Sequence, residues 1–215
     1  MPHGSNLERF VTMLVFTLTI GRCMFVGIFS NSMKQSLYRS GLKLKEAYKR
    51  IEELAELDEL TGSFNRRCIM RMLGEEIARA RRSKIPCSIA LIDLDWFKRI
   101  NDAHGHPTGD EVLRTFAITM FANIRSIDRF GRYGGEEFLL VLPDLSDDGA
   151  VRALDRLRAI VADLDWSAFS PSMKVTISAG VATLKQNETP DTFLARADSA
   201  LYTAKARGRN RIANA

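Results

Sequence analysis

The sequence predicts an α+β fold, an α/β sandwich with a mixed central sheet and flanking helices, preceded by an N-terminal helix. Three observations predict it. From residue 58 onward, apolar runs of strand length alternate with amphipathic stretches of helix length. A Gly134-Gly135 pair between two apolar runs marks a hairpin in mid-sequence, which puts antiparallel members into the sheet. Before residue 58 the chain carries a long apolar run and then a stretch rich in Lys, Glu, Leu and Ala. The 215 residues hold 46% hydrophobic and 27% charged side chains, which excludes a disordered or collagenous chain.

Taken in order, the first element covers residues 1–31. Phe10 to Phe29 is an unbroken apolar stretch with one charge, Arg22. It is long enough to cross a bilayer as a helix. Its Leu, Ile, Val and Phe residues favour insertion by roughly 3 to 6 kcal/mol, and Arg22 takes back up to ~3 kcal/mol. Lys34, Arg39, Lys43, Lys45, Lys49 and Arg50 follow, so the positive-inside rule puts the rest of the chain in the cytoplasm. The length of the run, and the lack of a small-residue cleavage site followed by an export-ready domain, argue against a secretory signal. A buried or dimer-forming helix is the competing reading, and it leaves the protein in the cytoplasm rather than in the inner membrane.

Residues 32–57 form a connector. Leu37, Leu44 and Ile51 recur at sevens, with Tyr48 and Ala55 four residues after the last two, a short parallel coiled-coil seam that Gly41 weakens. A solvated helix packed on its own domain is the alternative. Thr61-Gly62-Ser63 ends the connector, and the third domain covers 58–215. Helices are expected at Arg66–Arg82, Gly109–Ile124, Asp147–Leu164 and Pro190–Arg207. Strands are expected at Cys87–Leu94, Arg129–Tyr133, Phe138–Leu142 and Lys174–Thr183.

Charge narrows function only slightly. Lys and Arg number 31 against 26 Asp and Glu, a formal charge of +5 that suits nucleic acid, an anionic membrane or phosphorylated substrates alike. Cys23, Cys68 and Cys87 are odd in number and widely spaced, which argues for a reducing compartment and against a disulfide framework. No Cys-x-x-Cys pair or His cluster points to zinc; His104 and His106 lie beside acids suited to harder ions.

The acids near strand ends carry more chemistry. Asp93 closes the first buried strand, Asp95 follows it, and Glu136 and Glu137 follow the Gly-Gly pair. If the hairpin lies beside that strand, these carboxylates repel one another unless a cation sits among them, and Mg²⁺ with its oxygen ligands suits the place. By itself a Gly-Gly turn flanked by acids is an ordinary solvated hairpin.

A series of motifs changes that weighting. Asp58-Glu59-Leu60-Thr61-Gly62 with Asn65-Arg66-Arg67 comes first. Asp93-Leu94-Asp95-Trp96-Phe97-Lys98 with Asn101-Asp102 is next, then Gly105-His106-Pro107-Thr108-Gly109-Asp110. Arg132-Tyr133-Gly134-Gly135-Glu136-Glu137-Phe138 follows, and Tyr202-Thr203-Ala204-Lys205 with Gly208-Arg209-Asn210 closes the series. In this order and spacing they resemble the GGDEF family of diguanylate cyclases, with the name-giving motif in its GGEEF form. The resemblance covers about residues 58 to 213.

The resemblance implies a fold like nucleotidyl-cyclase and polymerase palm domains, and condensation of two GTP into cyclic di-GMP and two pyrophosphates across a homodimer. It implies nucleotides, and no nucleic acid, as partners. Asp93, the Leu94 carbonyl, Glu136 and Glu137 would hold Mg²⁺, with Mn²⁺ as a substitute. Glu136 or Glu137 would serve catalysis, Glu136 as the candidate base. Asn101 and Asp110 would read guanine, His106 would line the pocket, and Gly134 and Gly135 would let the nucleotide lie on the backbone. Lys98, Lys205 and Arg209 would neutralise the β- and γ-phosphates. Arg125 and Asp128 stand at the spacing of the family's Arg-x-x-Asp inhibitory product site, with Arg156 as a second arginine. Local readings compete: Asn101 as a helix cap, Asp110 as a first-turn acid, the basic tail as a helix end. A module that binds cyclic di-GMP or GTP without catalysis is the alternative function. Glu136 stands where Asp is commoner, and Ser63-Phe64 where Leu-Pro is usual.

Overall fold

The computed structural model describes the backbone of residues 6–54, 56–171 and 173–215. The chain divides into two units, residues 1–55 and 56–215. The first is one helix, α1 (Asn6–Leu54). Its apolar side chains Phe10, Met13, Phe16, Leu18 and Met24 are exposed. The hydroxyls of Thr12, Thr17 and Thr19 donate to the carbonyls of Glu8, Met13 and Val15, one turn back. Among the described residues no helix is long and apolar enough to cross a membrane. The side chains of residues 25–31, the far part of the expected membrane segment, lie outside the described set, as do the seam residues Leu37, Leu44, Tyr48, Ile51 and Ala55.

The second unit follows the expected order with two additions. Its elements are α2 (Arg66–Ser83), β1 (Cys87–Leu94), α3 (Phe97–His104), α4 (His106–Asn123), β2 (Arg129–Gly134), β3 (Glu137–Pro143), α5 (Asp147–Asp163), β4 (Ile177–Thr183), α6 (Pro190–Ala206) and β5 (Ile212–Asn214). The five strands form one sheet in the order β2-β3-β1-β4-β5, antiparallel except for the β4–β5 pair. β1 lies in the centre and is buried along its whole length, which is why it reads as a continuous apolar run.

Strand alternation builds a core on each face. Ala90, Ile92 and Leu94 of β1 join Phe138, Leu140 and Leu142 of β3 under α3, α4 and α5. Ile89 and Leu91 join Leu139 and Val141 under α2 and α6. The second core lets α6 sit unusually close to the sheet. A Cβ at Gly180 would lie 2.0 Å from the Ala197 carbonyl oxygen and 2.2 Å from the Leu201 nitrogen.

Two short elements escaped the sequence reading. α3 is an eight-residue helix that buries only Phe97 and Ile100, too few for a period to show. β5 has three residues, none of them buried. The strand expected from Lys174 begins at Ile177, because Thr176 instead engages Asp95. The hairpin turn is Gly135-Glu136 and not Gly134-Gly135: an irregularity between Arg132 and Gly134 leaves Tyr133 unpaired and moves the turn one residue on.

Candidate functional site

The candidate site is built where the C-terminal end of β1 meets the β2–β3 turn. Register brings the acids together. In the antiparallel pairing, Asp93 stands opposite Glu137, and the Leu94 N–H donates to the Glu136 carbonyl at 3.4 Å. Phe138, next in the chain, is fully buried, stacked on Phe130 at 5.1 Å and met edge-on by Phe116. That aromatic anchor fixes the register, and so the position of Glu137. Arg132 secures the turn: it donates to the Gly135 carbonyl at 2.8 Å and lies 3.3 Å from Asp58. Asp58 in turn accepts from the backbone and hydroxyl of Thr61, so the first motif braces the hairpin.

Asp93 is the electrostatic centre. Its carboxyl is pushed up to about 6, chiefly by burial and also by repulsion from Glu136 and Glu137. Lys205, on α6, opposes this with an ion pair to Asp93 at 2.7 Å. Lys205 is therefore held by a carboxylate, whereas the sequence reading gave it to phosphates. Among the described residues no three His, Cys, Asp or Glu side chains are gathered closely enough to hold a metal. Asp93 and Glu137 are direct neighbours, and Glu136 sits in the turn. The oxygen donors available there, the Asp93 and Glu137 carboxylates side by side with Glu136 in the adjacent turn, suit a hard divalent cation in kind.

The remaining expected residues fall around this centre with different engagements. Among the described residues the Asn101 Oδ1 is a buried acceptor without a partner, in van der Waals reach of Gly109, where any Cβ would overlap it at 1.9 Å. An unsatisfied buried acceptor costs about 1 to 3 kcal/mol, an outlay that a bound donor would recover. Asn101 lies within α3 and is not its cap; that position belongs to Trp96. Asp110 is half-buried in α4, and Lys98 and His106 are exposed. Among the described residues no ion pair or hydrogen bond occupies the side chains of Lys98, Asp110, Glu136 or Glu137. Arg209 lies with its guanidinium carbon 3.7 Å from the centre of the Trp96 ring.

Arg125, Asp128 and Arg156 do line one cleft, with Leu145 and Leu157, of about 180 Å³. Asp128 is buried and fully committed. It accepts from the Arg125 backbone at 2.9 Å and from the Arg125 side chain at 2.6 Å. Arg125 also donates to the Pro143 carbonyl, and Arg156 to the Asn123 carbonyl. Asp128 thus holds Arg125 in this conformation and offers no free edge to a base.

Sequence reasoning singled out Asp95 without giving it work. It is buried and accepts from Thr176 at 2.7 Å, Ser178 at 2.7 Å and the Asn210 backbone at 2.9 Å. The bracing by Arg132 and Asp58 was likewise missed, since partners 74 residues apart leave no local signal.

Residues 55–211 match the family model described as diguanylate cyclase, GGDEF domain. The chain is 45% identical over 163 residues to the response regulator PleD of Caulobacter vibrioides, covering 74% of this chain and 36% of that protein. It is 40% identical over 157 residues to the diguanylate cyclase DosC of Escherichia coli, covering 73% and 34%. The crystal structure of the GGDEF domain of DgcB from Caulobacter crescentus, in complex with c-di-GMP, superimposes with a TM-score of 0.71 at 32% identity. That match covers 74% of this chain and 95% of the DgcB chain. The chain spans about a third of the length of the curated relatives it matches.

Proposed function

This chain belongs to the GGDEF-domain family of diguanylate cyclases, and on that premise we propose that its domain at 56–215 condenses two GTP into cyclic di-GMP and two pyrophosphates. The observation that carries the reading is the pairing of Asp93 with Glu137 beside the Gly135-Glu136 turn, at the open end of a buried strand. One such site binds one GTP, so the reaction needs a second copy of the domain, its site facing the first.

The roles follow from the chemistry. Asp93, the Leu94 carbonyl, Glu136 and Glu137 would hold Mg²⁺ or Mn²⁺, which when bound offsets phosphate charge and polarises the reacting phosphoryl group. Glu136, in the turn and with no ion pair or hydrogen bond among the described residues, takes the proton of the 3′-hydroxyl. Asn101 and Asp110 read the guanine edge, a reading supported by the orphaned Asn101 oxygen. His106 lines the pocket, and Gly134 and Gly135 let the nucleotide approach the backbone. Lys98, Arg209 and Lys205 neutralise the β- and γ-phosphates, Lys205 on leaving its ion pair with Asp93. Cyclic di-GMP engages Arg125 and Arg156 at the second cleft and feeds back on the reaction. A space of about 180 Å³ admits only part of a dinucleotide, so Arg125 swings outward on binding and frees Asp128.

For α1 we propose attachment to the inner membrane through residues 10–29, with the cyclase domain in the cytoplasm. The reading is supported by the exposed apolar residues of its first half and by threonine hydroxyls satisfied within the helix.

Replacing Glu136 tests the catalytic assignment. Glu136→Gln should slow pyrophosphate release from GTP roughly a hundredfold or more, by removing one metal ligand and the base together. GTP binding should persist. Near-normal turnover in this variant overturns the assignment.

A further inference from the structure

We propose that Trp96 is a positioning residue that holds Arg99 and Arg209 as a two-arginine clamp for the β- and γ-phosphates of GTP. The clamp rests on the cyclase reading and assigns two residues, Trp96 and Arg99, that this reading leaves without a role. The guanidinium carbons of Arg99 and Arg209 lie 3.9 and 3.7 Å from the centre of the same indole. Two planar cations that close to one centroid cannot share a side, so the ring is sandwiched between them. Neither arginine forms an ion pair with an acid among the described residues. Two like charges therefore lie against one ring, each held by cation–π attraction, with no acid paired to either among the described residues. Stacking keeps each guanidinium plane fixed and leaves its N–H edge to fork onto an anion.

The chain around the ring is built to keep it there. Asp95 and Trp96 grip the successive residues Asn210 and Arg209, the first through a buried carboxylate, the second through the ring. The held segment turns sharply, with φ of 108° at Gly208, 59° at Arg209 and 46° at Asn210. Trp96 itself has φ 60°, a left-handed conformation that disfavours a bulky side chain. The residue is nevertheless 48% exposed, so the contact with the two arginines lies at the surface. A strained tryptophan, two guanidinium groups with no acid partner among the described residues and the exposed Lys98 thus gather beside the proposed metal-binding strand end. Their combined charge suits a magnesium-bound polyphosphate.

Trp96→Gly separates this role from a structural one, because glycine relieves the left-handed backbone while removing the shelf. Magnesium pyrophosphate binding is measured by calorimetry, KM and kcat with GTP, and stability by thermal melting, with Trp96→Tyr alongside. The clamp predicts that Trp96→Gly binds pyrophosphate roughly threefold to thirtyfold more weakly and raises KM similarly. It predicts kcat within about twofold, an undiminished Tm, and substantial recovery in Trp96→Tyr. Unchanged pyrophosphate affinity and KM in Trp96→Gly overturn it. Should that variant not fold, Arg209→Lys decides, since it keeps the charge and loses the flat face: wild-type pyrophosphate affinity there contradicts the clamp. If the wild type makes no cyclic di-GMP while the variants still lose pyrophosphate, the cyclase reading fails and the clamp stands. If cyclic di-GMP forms and pyrophosphate affinity is unmoved, the reverse holds.

Discussion

Asp93 concentrates the conflict between stability and function. Its carboxyl, near 3.8 when exposed, rises to about 6 in the folded chain because burial disfavours its charge. The folded protein therefore binds this proton more tightly than the unfolded chain does. The contribution is fully present below pH 4 and is lost as pH rises through 6. At pH 7 the ionised group costs roughly 3 kcal/mol, with Lys205 already paired to it. Metal-free Asp93→Asn should then melt roughly 5 to 10 °C higher than the metal-free wild type at pH 7, with no advantage at pH 4. Mg²⁺ should stabilise the wild type and leave the variant unmoved. Calorimetry at both pH values checks this, and equal melting at pH 7 would contradict it. At this scale the sequence showed which acids matter, because their order and spacing are local. It did not show that Lys205 pairs with Asp93 or that Asp95 latches Asn210, since 112 to 115 residues separate these partners and only the fold brings them together.

At the scale of elements, α6 carries Lys205, and its place depends on Gly180. A methyl group there would meet two backbone atoms of α6 near 2 Å, and a helix backbone cannot yield as a side chain can. Gly180→Ala should cost at least 1–3 kcal/mol and lift Lys205 away from Asp93, so activity falls more than the folded fraction does. Denaturant titration beside GTP turnover measures both, and a wild-type pair of values would show that the close packing is dispensable. The other elements reveal what periodicity can and cannot resolve. β1 was legible to the residue because both its faces are buried, and α2, α5 and α6 within a residue or so because each shows one long apolar face. The turn was displaced by one residue because a bulge leaves no mark on hydropathy. α3 and β5 bury too little side chain to stand out.

On the scale of the whole molecule, the proposed reaction requires two copies of the domain, so the proposed activity would belong to an assembly. If residues 10–29 anchor the chain, removing residues 1–31 should move the protein from the membrane fraction to the soluble one. A full-length chain that is soluble without detergent contradicts the anchor. In the proposed feedback, product would act on that assembly through the second cleft. Arg125→Ala should leave the initial rate intact and raise the final yield of product, since Asp128 loses the partner that product must recruit. Arrest at the wild-type level would sink that assignment. The central claim stands or falls on the product itself. Purified protein incubated with Mg²⁺ and either GTP or ATP, with products identified by mass spectrometry, should yield cyclic di-GMP from GTP and nothing cyclic from ATP. A folded, dimeric protein that leaves GTP unchanged, or that cyclises ATP equally well, would contradict it.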